Sequence, residues 1–316
     1  MAAADPIPII VLGGHDARAG EMPAGVEDRH ALMGYKGIAV RIGGRPLIEC
    51  VLERLRQSGQ FAPIYVAGPR SVYAGSLGGA SIIDVTGSID ETIRAGFEGA
   101  ARQCPGMPLA ITTCDVLPEV DTLARLMAQY HAEAPLDAYL PMIRAPRERA
   151  DLGASAYKPT YFVVPETGAA PLEVLPCHLA VLDVAAFRMD FIFRVARLIY
   201  RTRNRPIAYR RRVMLPGIIF ELLFQDLRHL LGLRLPNLTW TVLHSGLPAV
   251  RELKAGTITR AHLEEAVRRI FVTARHRRRY PGRRVLMPLV EGLSLALDID
   301  TEEEAREASA GQPPPV

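Results

Sequence analysis

The segment Pro8-Ile9-Ile10-Val11-Leu12 is apolar at every position and runs directly into Gly13-Gly14-His15-Asp16-Ala17-Arg18. A strand with no polar face has to be covered on both sides, as in the parallel sheet of a layered α/β protein. Two further apolar segments repeat the pattern, Ala62 to Ala67 and Leu109 to Thr113. Helical spacing separates them. Leu47, Ile48, Val51, Leu52 and Leu55 predict a helix over Arg45 to Ser58, with Pro46 in its first turn and Gly59 as its stop. Ile89 to Ala101 and Glu119 to Tyr130 read as the next two. Strand and helix alternate with short connections, which predicts a three-layer α/β/α fold with a mostly parallel, Rossmann-like sheet.

In such sheets ligands sit beyond the carboxyl ends of the strands. Gly13-Gly14 and Asp115 both fall at such ends. A glycine loop lets backbone N–H groups approach phosphate oxygens, and Arg18 could clamp them. The loop lacks the spacing of a P-loop and of a GxGxxG dinucleotide site, and on its own it reads equally as a tight strand-to-helix turn. Lys36 could neutralise charge developing on a phosphate, or be a solvated loop lysine. Asp115 could ligate Mg²⁺ or cap a helix beginning near Pro118. Leu293 to Ile299 predicts a last strand, along which Asp298 and Asp300 alternate and so share a face. A same-face pair of carboxylates is costly without a cation.

Beyond about residue 155 the pattern changes. Thr160 to Val164 and Leu179 to Leu182 read as strands; Phe191 to Tyr200, Ile218 to Leu231 and Glu264 to Ala274 read as helices. Charge changes too. Between Arg188 and Arg284 there are 22 basic and 6 acidic residues, against 16 and 28 in the rest of the chain. Such asymmetry implies an anionic partner on that side. Arg194, Arg197 and Arg201 fall on one side of their helix and are expected to be exposed, with Phe191, Ile192, Val195 and Leu198 packed away. Only three lysines occur, Lys36, Lys158 and Lys254. Lys158 and His178 each precede a strand and are candidates for lining an acceptor pocket, where Lys158 could hold a phosphate; a plain surface lysine is the other reading of Lys158. The four cysteines lack CxxC spacing, which favours free thiols in a cytoplasmic protein. The N-terminus has no signal-peptide pattern, and no apolar run is long enough to span a bilayer.

Taken together, these segments resemble the MobA-like NTP transferases, nucleotidyltransferases of glycosyltransferase-A fold. Val11-Leu12-Gly13-Gly14-His15-Asp16-Ala17-Arg18-Ala19-Gly20 is similar to the family's opening loop. Lys36-Gly37 and Gly44-Arg45-Pro46-Leu47-Ile48 are similar to the family's lysine and its GxPLI segment. Thr113-Cys114-Asp115-Val116-Leu117-Pro118 resembles the metal motif with one extra residue, and Asp298-Ile299-Asp300-Thr301-Glu302-Glu303 the terminal acidic motif. Glu21 to Tyr35 is an insertion relative to the family. Asp84-Val85-Thr86-Gly87-Ser88 falls where the family reads the base.

The resemblance implies a Mg²⁺-dependent nucleotidyltransferase, in which a phosphorylated acceptor attacks the α-phosphate of an NTP and releases pyrophosphate. Leu12, Gly13, Gly14, Arg18, Lys36, Gly87 and Ser88 would bind nucleotide. Lys36, Arg18 and Asp115 would be catalytic, and Asp115, Asp298 and Asp300 would hold metal. The acceptor would be a sugar, cofactor or lipid-precursor phosphate. The basic region suggests peripheral contact with an anionic membrane at its inner face, and no nucleic acid is expected. A nucleotide-sugar-dependent glycosyltransferase of the same fold and a non-catalytic, membrane-recruited homologue are the alternatives. The expected organisation is a nucleotide-binding core over residues 1–155, an acceptor-side region with a basic helical elaboration over 156–290, and a final core strand, helix and tail over 291–316.

Overall fold

A computed structural model describes residues 5–16, 30–202, 222–224, 226–227, 230–231 and 238–310. Thirteen strands are present among them: β1 (Ile7–Leu12), β2 (Arg41–Ile42), β3 (Arg45–Pro46), β4 (Phe61–Gly68), β5 (Ser81–Asp84), β6 (Leu109–Thr113), β7 (Ala138–Tyr139), β8 (Met142–Arg144), β9 (Tyr161–Val163), β10 (Leu172–Pro176), β11 (Ala180–Leu182), β12 (Val285–Leu286) and β13 (Leu289–Val290). Seven form the central sheet in the order β12-β7-β11-β6-β1-β4-β5. The sheet is parallel except around β11, which runs antiparallel to both β6 and β7. A second sheet, β13-β8-β10-β9, stands beside it.

Every residue of β1 is buried, as its unbroken apolar run demands. Its side chains alternate between two cores. Ile7, Ile9 and Val11 join the layer of α2 (Leu47–Gln57) and α5 (Val120–Glu133), while Ile10 and Leu12 join that of α4 (Ile89–Gln103). Helix α2 buries the five residues its spacing singles out, Leu47, Ile48, Val51, Leu52 and Leu55. Each contributes roughly 1.5–3 kcal/mol of apolar transfer, so Leu52→Ala should cost about 2–5 kcal/mol. The predicted start of α2 is two residues early, because Arg45 and Pro46 pair in β3 with β2. Helix α4 begins with a capping box, in which Glu91 reaches back to the Ser88 amide at 2.8 Å.

The final predicted strand is not formed. Leu293–Leu295 is a 3₁₀ turn, and Asp298 makes a single bridge to Val116. Leu293-Ser294-Leu295 is preceded by Gly292 at φ 141°, and the Leu293 carbonyl accepts from Ala296 and Leu297, so the chain turns there and does not run on as an edge. Only the stretch after it is extended, and it is held from both sides. Ile299 N–H donates to the Asp115 carbonyl at 2.8 Å, and Leu32 N–H donates to the Asp300 carbonyl at 2.8 Å.

In the basic region the described helices are α6 (Met189–Thr202), a helical run from Leu238 to Ala255 that passes through a π-type turn at Val242–Gly246, Arg260–Phe271, and Ala274–Arg279. Most of the predicted helix Ile218 to Leu231 lies outside the described residues. Helix α6 docks on α4 by burying Phe193 beside Phe97, with the Arg94 guanidinium 4.6 Å from the Phe193 ring. Phe191 is buried and Arg197 exposed, as expected, and Arg194 is half-buried, but Arg197 is also engaged. Its Nε lies 2.6 Å from Oδ2 of buried Asp90, so it ties α6 to the start of α4. Asp137, fully buried, accepts from Arg268 Nε at 2.7 Å and lies 3.1 Å from His276 Nε2, which anchors the two later helices on β7.

Candidate active site

Because β1 and β6 run parallel side by side, Gly13 and Asp115 leave the sheet at the same edge. Gly13 N–H donates to the Ala67 carbonyl at 2.8 Å. A side chain at Gly13 would strike the buried Tyr73 ring at 2.6 Å, so only glycine lets the loop pass this close. Gly14 lies against Ile89 in the first turn of α4. Leu12 is buried in the core below. Gly87 and Ser88 form the entry to α4, so the glycine loop and the predicted base-reading turn share one wall. The Ser88 side chain is occupied as a helix cap, donating to Asp90 at 2.7 Å. Arg18 lies outside the described residues.

Lys36 opens the short helix α1 (Lys36–Ala39) and is buried. Gly37 sets its position: a Cβ there would meet Cys114 Sγ at 3.0 Å, so the helix start presses on the residue before Asp115. The Lys36 ammonium contacts Asp300 Oδ1 and lies 3.0 Å from Asp16 Oδ2. Burial alone would lower its pKa, but Asp300, Asp115 and Asp16 outweigh that and raise it above the ordinary lysine value.

Asp115, Asp298 and Asp300 converge. One carboxylate oxygen from each lies within 4.8 Å of the others. Asp115 Oδ1 is buried and has no hydrogen-bond donor among the described residues. The two later aspartates differ electrostatically. Asp300 is pushed up to about 6, first by burial and then by the neighbouring Asp298 charge. Burial pushes Asp298 the same way, but Lys158 and His178 overcome it and hold that carboxyl well below the usual range. Two carboxylates in one site cannot both ionise cheaply, and here the second lysine decides which does.

That lysine is Lys158, which is buried. Its ammonium lies 2.6 Å from Asp298 Oδ1, 3.0 Å from Glu304 Oε1 and 3.9 Å from Asp300 Oδ2. Burial would lower its pKa; the three acids raise it. His178 Nε2 stands 3.8 Å from Asp298 Oδ1, and its Nδ1 is 3.5 Å from the Thr113 hydroxyl. Lys158 and His178 therefore flank the carboxylates directly.

Asp16 and Glu304 complete the cluster and were not singled out by sequence reasoning. Asp16 is held by a two-way backbone bridge to Gly34, at 3.1 and 2.9 Å. Nothing in a loop sequence announces such a closure. Glu304 did leave a signal. Thr301-Glu302-Glu303-Glu304 has capping-box spacing, and Glu304 accepts from Thr301 N–H at 2.9 Å while its other oxygen faces Lys158. The insertion before Lys36 returns through Ala31 and Leu32 onto Asp300 and Thr301, so it forms part of the site.

Among the described residues, five carboxylates thus face two ammonium groups at the open edge of a parallel sheet. Hard oxygen donors in excess of positive charge, one of them a buried oxygen with no donor there, suit a divalent cation such as Mg²⁺.

Comparison with known proteins gives the family. Residues 33–217 match the MobA-like NTP transferase domain, and the chain belongs to that family of nucleotidyltransferases. The matched residues include Lys36 and Asp115; the glycine loop and the Asp298/Asp300 segment lie outside them. No curated protein matches the chain in sequence. Among solved structures, a hypothetical transferase from Thermus thermophilus superposes with a TM-score of 0.56 at 19% identity, over 95% of this chain and 99% of that one. It shows the shared fold. Weaker likenesses include a CMP:2-keto-3-deoxy-manno-octonic acid synthetase complexed with CTP (TM-score 0.41, 14% identity, 61% and 78% coverage). A 2-C-methyl-D-erythritol 4-phosphate cytidylyltransferase, also from Thermus thermophilus, gives a TM-score of 0.40 at 10% identity, over 96% of this chain and 98% of that one.

Proposed function

We propose that the cleft transfers a nucleoside monophosphate from an NTP to a phosphorylated acceptor, with release of pyrophosphate. One observation carries this reading: Lys36, Asp115, Asp298 and Asp300, far apart in sequence, meet at the carboxyl edge of β1 and β6. Asp115, Asp298 and Asp300 would hold Mg²⁺, whose chemistry there is to neutralise the triphosphate and the departing pyrophosphate. The backbone of Gly13-Gly14 lines the path of the phosphates. The first turn of α4 beside it presents the positive end of a fifteen-residue helix. Lys36 places a fixed ammonium next to the reacting phosphate, where a preorganised charge lowers the barrier most. Arg18, following the glycines, supplies a second cation in this reading.

An acceptor that already carries a phosphate nucleophile needs no strong general base, and the reading assigns none. Lys158 acts through the carboxylates: it holds Asp298 ionised and fixes the segment that carries Asp300. His178, beside Asp298, would meet the acceptor in this reading. The base of a cytidine, uridine, adenosine or guanosine triphosphate would lie near Gly87.

The test is direct. Each of the four NTPs is added with Mg²⁺ and unfolding is followed by thermal shift, where ligand at a hundredfold over Kd should stabilise by about 2.7 kcal/mol. Pyrophosphate release is then measured with the stabilising NTP and a panel of sugar and alcohol phosphates. Absence of Mg²⁺-dependent stabilisation by any NTP would refute the reading. So would stabilisation that survives Asp115→Asn unchanged.

A further inference from the structure

The helical run Leu238–Ala255 buries one face and exposes another, and both are apolar. Leu238, Gly246 and Ala249 point inward, with Val242 and Leu253 partly buried on the same side. The exposed face carries Trp240, Leu243, Leu247 and Val250, spaced three and four residues apart. Trp240 is 70% exposed and stacks on His244. Between and beyond these apolar residues the same face presents His244, Arg251 and Lys254, while the one acid of the run, Glu252, is turned to His262 at 2.6 Å. The preceding segment adds Leu223, Phe224, Leu227, Leu230 and Leu231, the last 77% exposed. The two segments are joined at their base. The Asp226 carboxylate accepts from Leu238 and Thr239 N–H at 3.0 and 2.8 Å, and Leu222 packs with Leu238 and Phe191.

A helix face with an exposed tryptophan among leucines, bordered by cations, has the composition of a surface that lies in the headgroup region of a bilayer. We propose that this face docks on an anionic lipid surface, with Trp240, Leu243 and Leu247 entering the acyl boundary and Arg251 and Lys254 meeting headgroup phosphates. Charge selects this occupant over a second copy of the chain. A twofold contact would set the same cations against one another, with the one acid of the run already engaged by His262. No described helix is long and apolar enough to cross the membrane, so the contact is peripheral. Arg197, one of the arginines on which charge alone would have placed such a contact, is engaged with Asp90.

Trp240 is the only tryptophan in the chain, so its fluorescence reports on this face alone. The intact protein is titrated with vesicles of phosphatidylcholine mixed with phosphatidylglycerol, and with vesicles of phosphatidylcholine alone. Expected are a blue shift and quenching by brominated acyl chains on the mixed vesicles only, weakened by salt. Arg251→Glu with Lys254→Glu should lower partitioning at least roughly tenfold, since each basic residue near the surface contributes on the order of a factor of five. Leu243→Glu with Leu247→Glu should abolish the shift while circular dichroism stays unchanged. Neither pair touches the cleft, so NTP-induced stabilisation is expected to persist in both. Any of three results overturns the proposal: no shift with mixed vesicles, a shift without vesicles that grows with protein concentration, or a Trp240 response to an RNA oligonucleotide equal to that with lipid.

Discussion

The cleft and the Asp137 site bury charge in opposite ways. At Asp137 one carboxylate, fully enclosed, meets the Arg268 guanidinium and the His276 ring, and the buried charge has its answer within the fold. In the cleft, Asp16, Asp115, Asp298, Asp300 and Glu304 gather around two ammonium groups, Lys36 and Lys158. A balanced buried pair holds two elements together. An unbalanced one stores a demand for a positive ligand and lies open to receive it. The difference teaches that burial alone does not mark a functional site; surplus charge at a strand edge does.

The largest effects should fall on turnover. If the cleft is the catalytic one, Asp115→Asn and Asp300→Asn are each expected to lower kcat by roughly three orders of magnitude, the scale of losing a preorganised charge contact. Their unfolding midpoints in urea should stay near or above that of the parent, because neither aspartate is the sole partner of a buried cation. A variant that loses activity and stability together would erase the distinction between the two clusters.

Asp137→Asn should do the reverse. It leaves Arg268 and His276 facing a neutral amide, and breaking a buried ion pair in this way costs about 3–5 kcal/mol. Urea unfolding measures it. NTP-induced stabilisation of the remaining folded protein is expected to be normal, since Asp137 adjoins β7, away from the carboxylate cluster. Arg268→Met combined with Asp137→Leu should recover much of the loss, as replacement of a whole buried pair by apolar residues often does.

Lys36→Ala comes next. Loss of one ammonium beside the reacting phosphate should lower kcat by roughly two orders of magnitude. Lys36→Arg should not restore the rate, because the planar guanidinium cannot take the place of a compact ammonium held between Asp16 and Asp300. Full activity in the alanine variant would move Lys36 from catalysis to the support of Asp300.

Much of the cleft was legible before any coordinates. The apolar run of β1, the glycines after it, Lys36-Gly37 and the acid closing β6 each follow a local rule, and a strand end fixes where its last residue points. The Asp298/Asp300 pair was found by strand alternation, although the strand itself dissolves into a 3₁₀ turn and one bridge. The alternation survived because an extended backbone suffices for it. What could not be read was partnership across the chain. Lys158 and Glu304 are 146 residues apart in sequence and meet only through the docking of the last helix. The basic region misled in a similar way: the surplus of arginine was visible, but which arginines are spent on Asp90 and Asp137 depends on tertiary contacts.

The smallest expected effect is also the most diagnostic. Asp300 is pushed up to about 6 by burial and by Asp298, above its ordinary value near 3.8. A carboxyl with a raised folded pKa contributes stability that is present below pH ~4 and lost as pH rises through about 6. At pH 7 its ionisation should therefore cost the metal-free protein about 2–3 kcal/mol. Lys36, raised above the ordinary lysine range, keeps its contribution throughout this window. Asp298, held low, loses its contribution only below the ordinary carboxylate range. With Mg²⁺ the dependence on Asp300 inverts, since a cation favours the ionised form. Stabilisation by Mg²⁺ should thus be weak at pH 5 and grow through pH 6 to a plateau. Asp300→Asn should abolish both the apo decline and the Mg²⁺ gain, and the difference between parent and variant isolates the contribution of Asp300. A Mg²⁺ stabilisation with no step near pH 6 would mean that Asp300 stays on Lys36 and that Asp115 and Asp298 hold the ion without it. The surplus of charge would then be a property of two carboxylates and not of three.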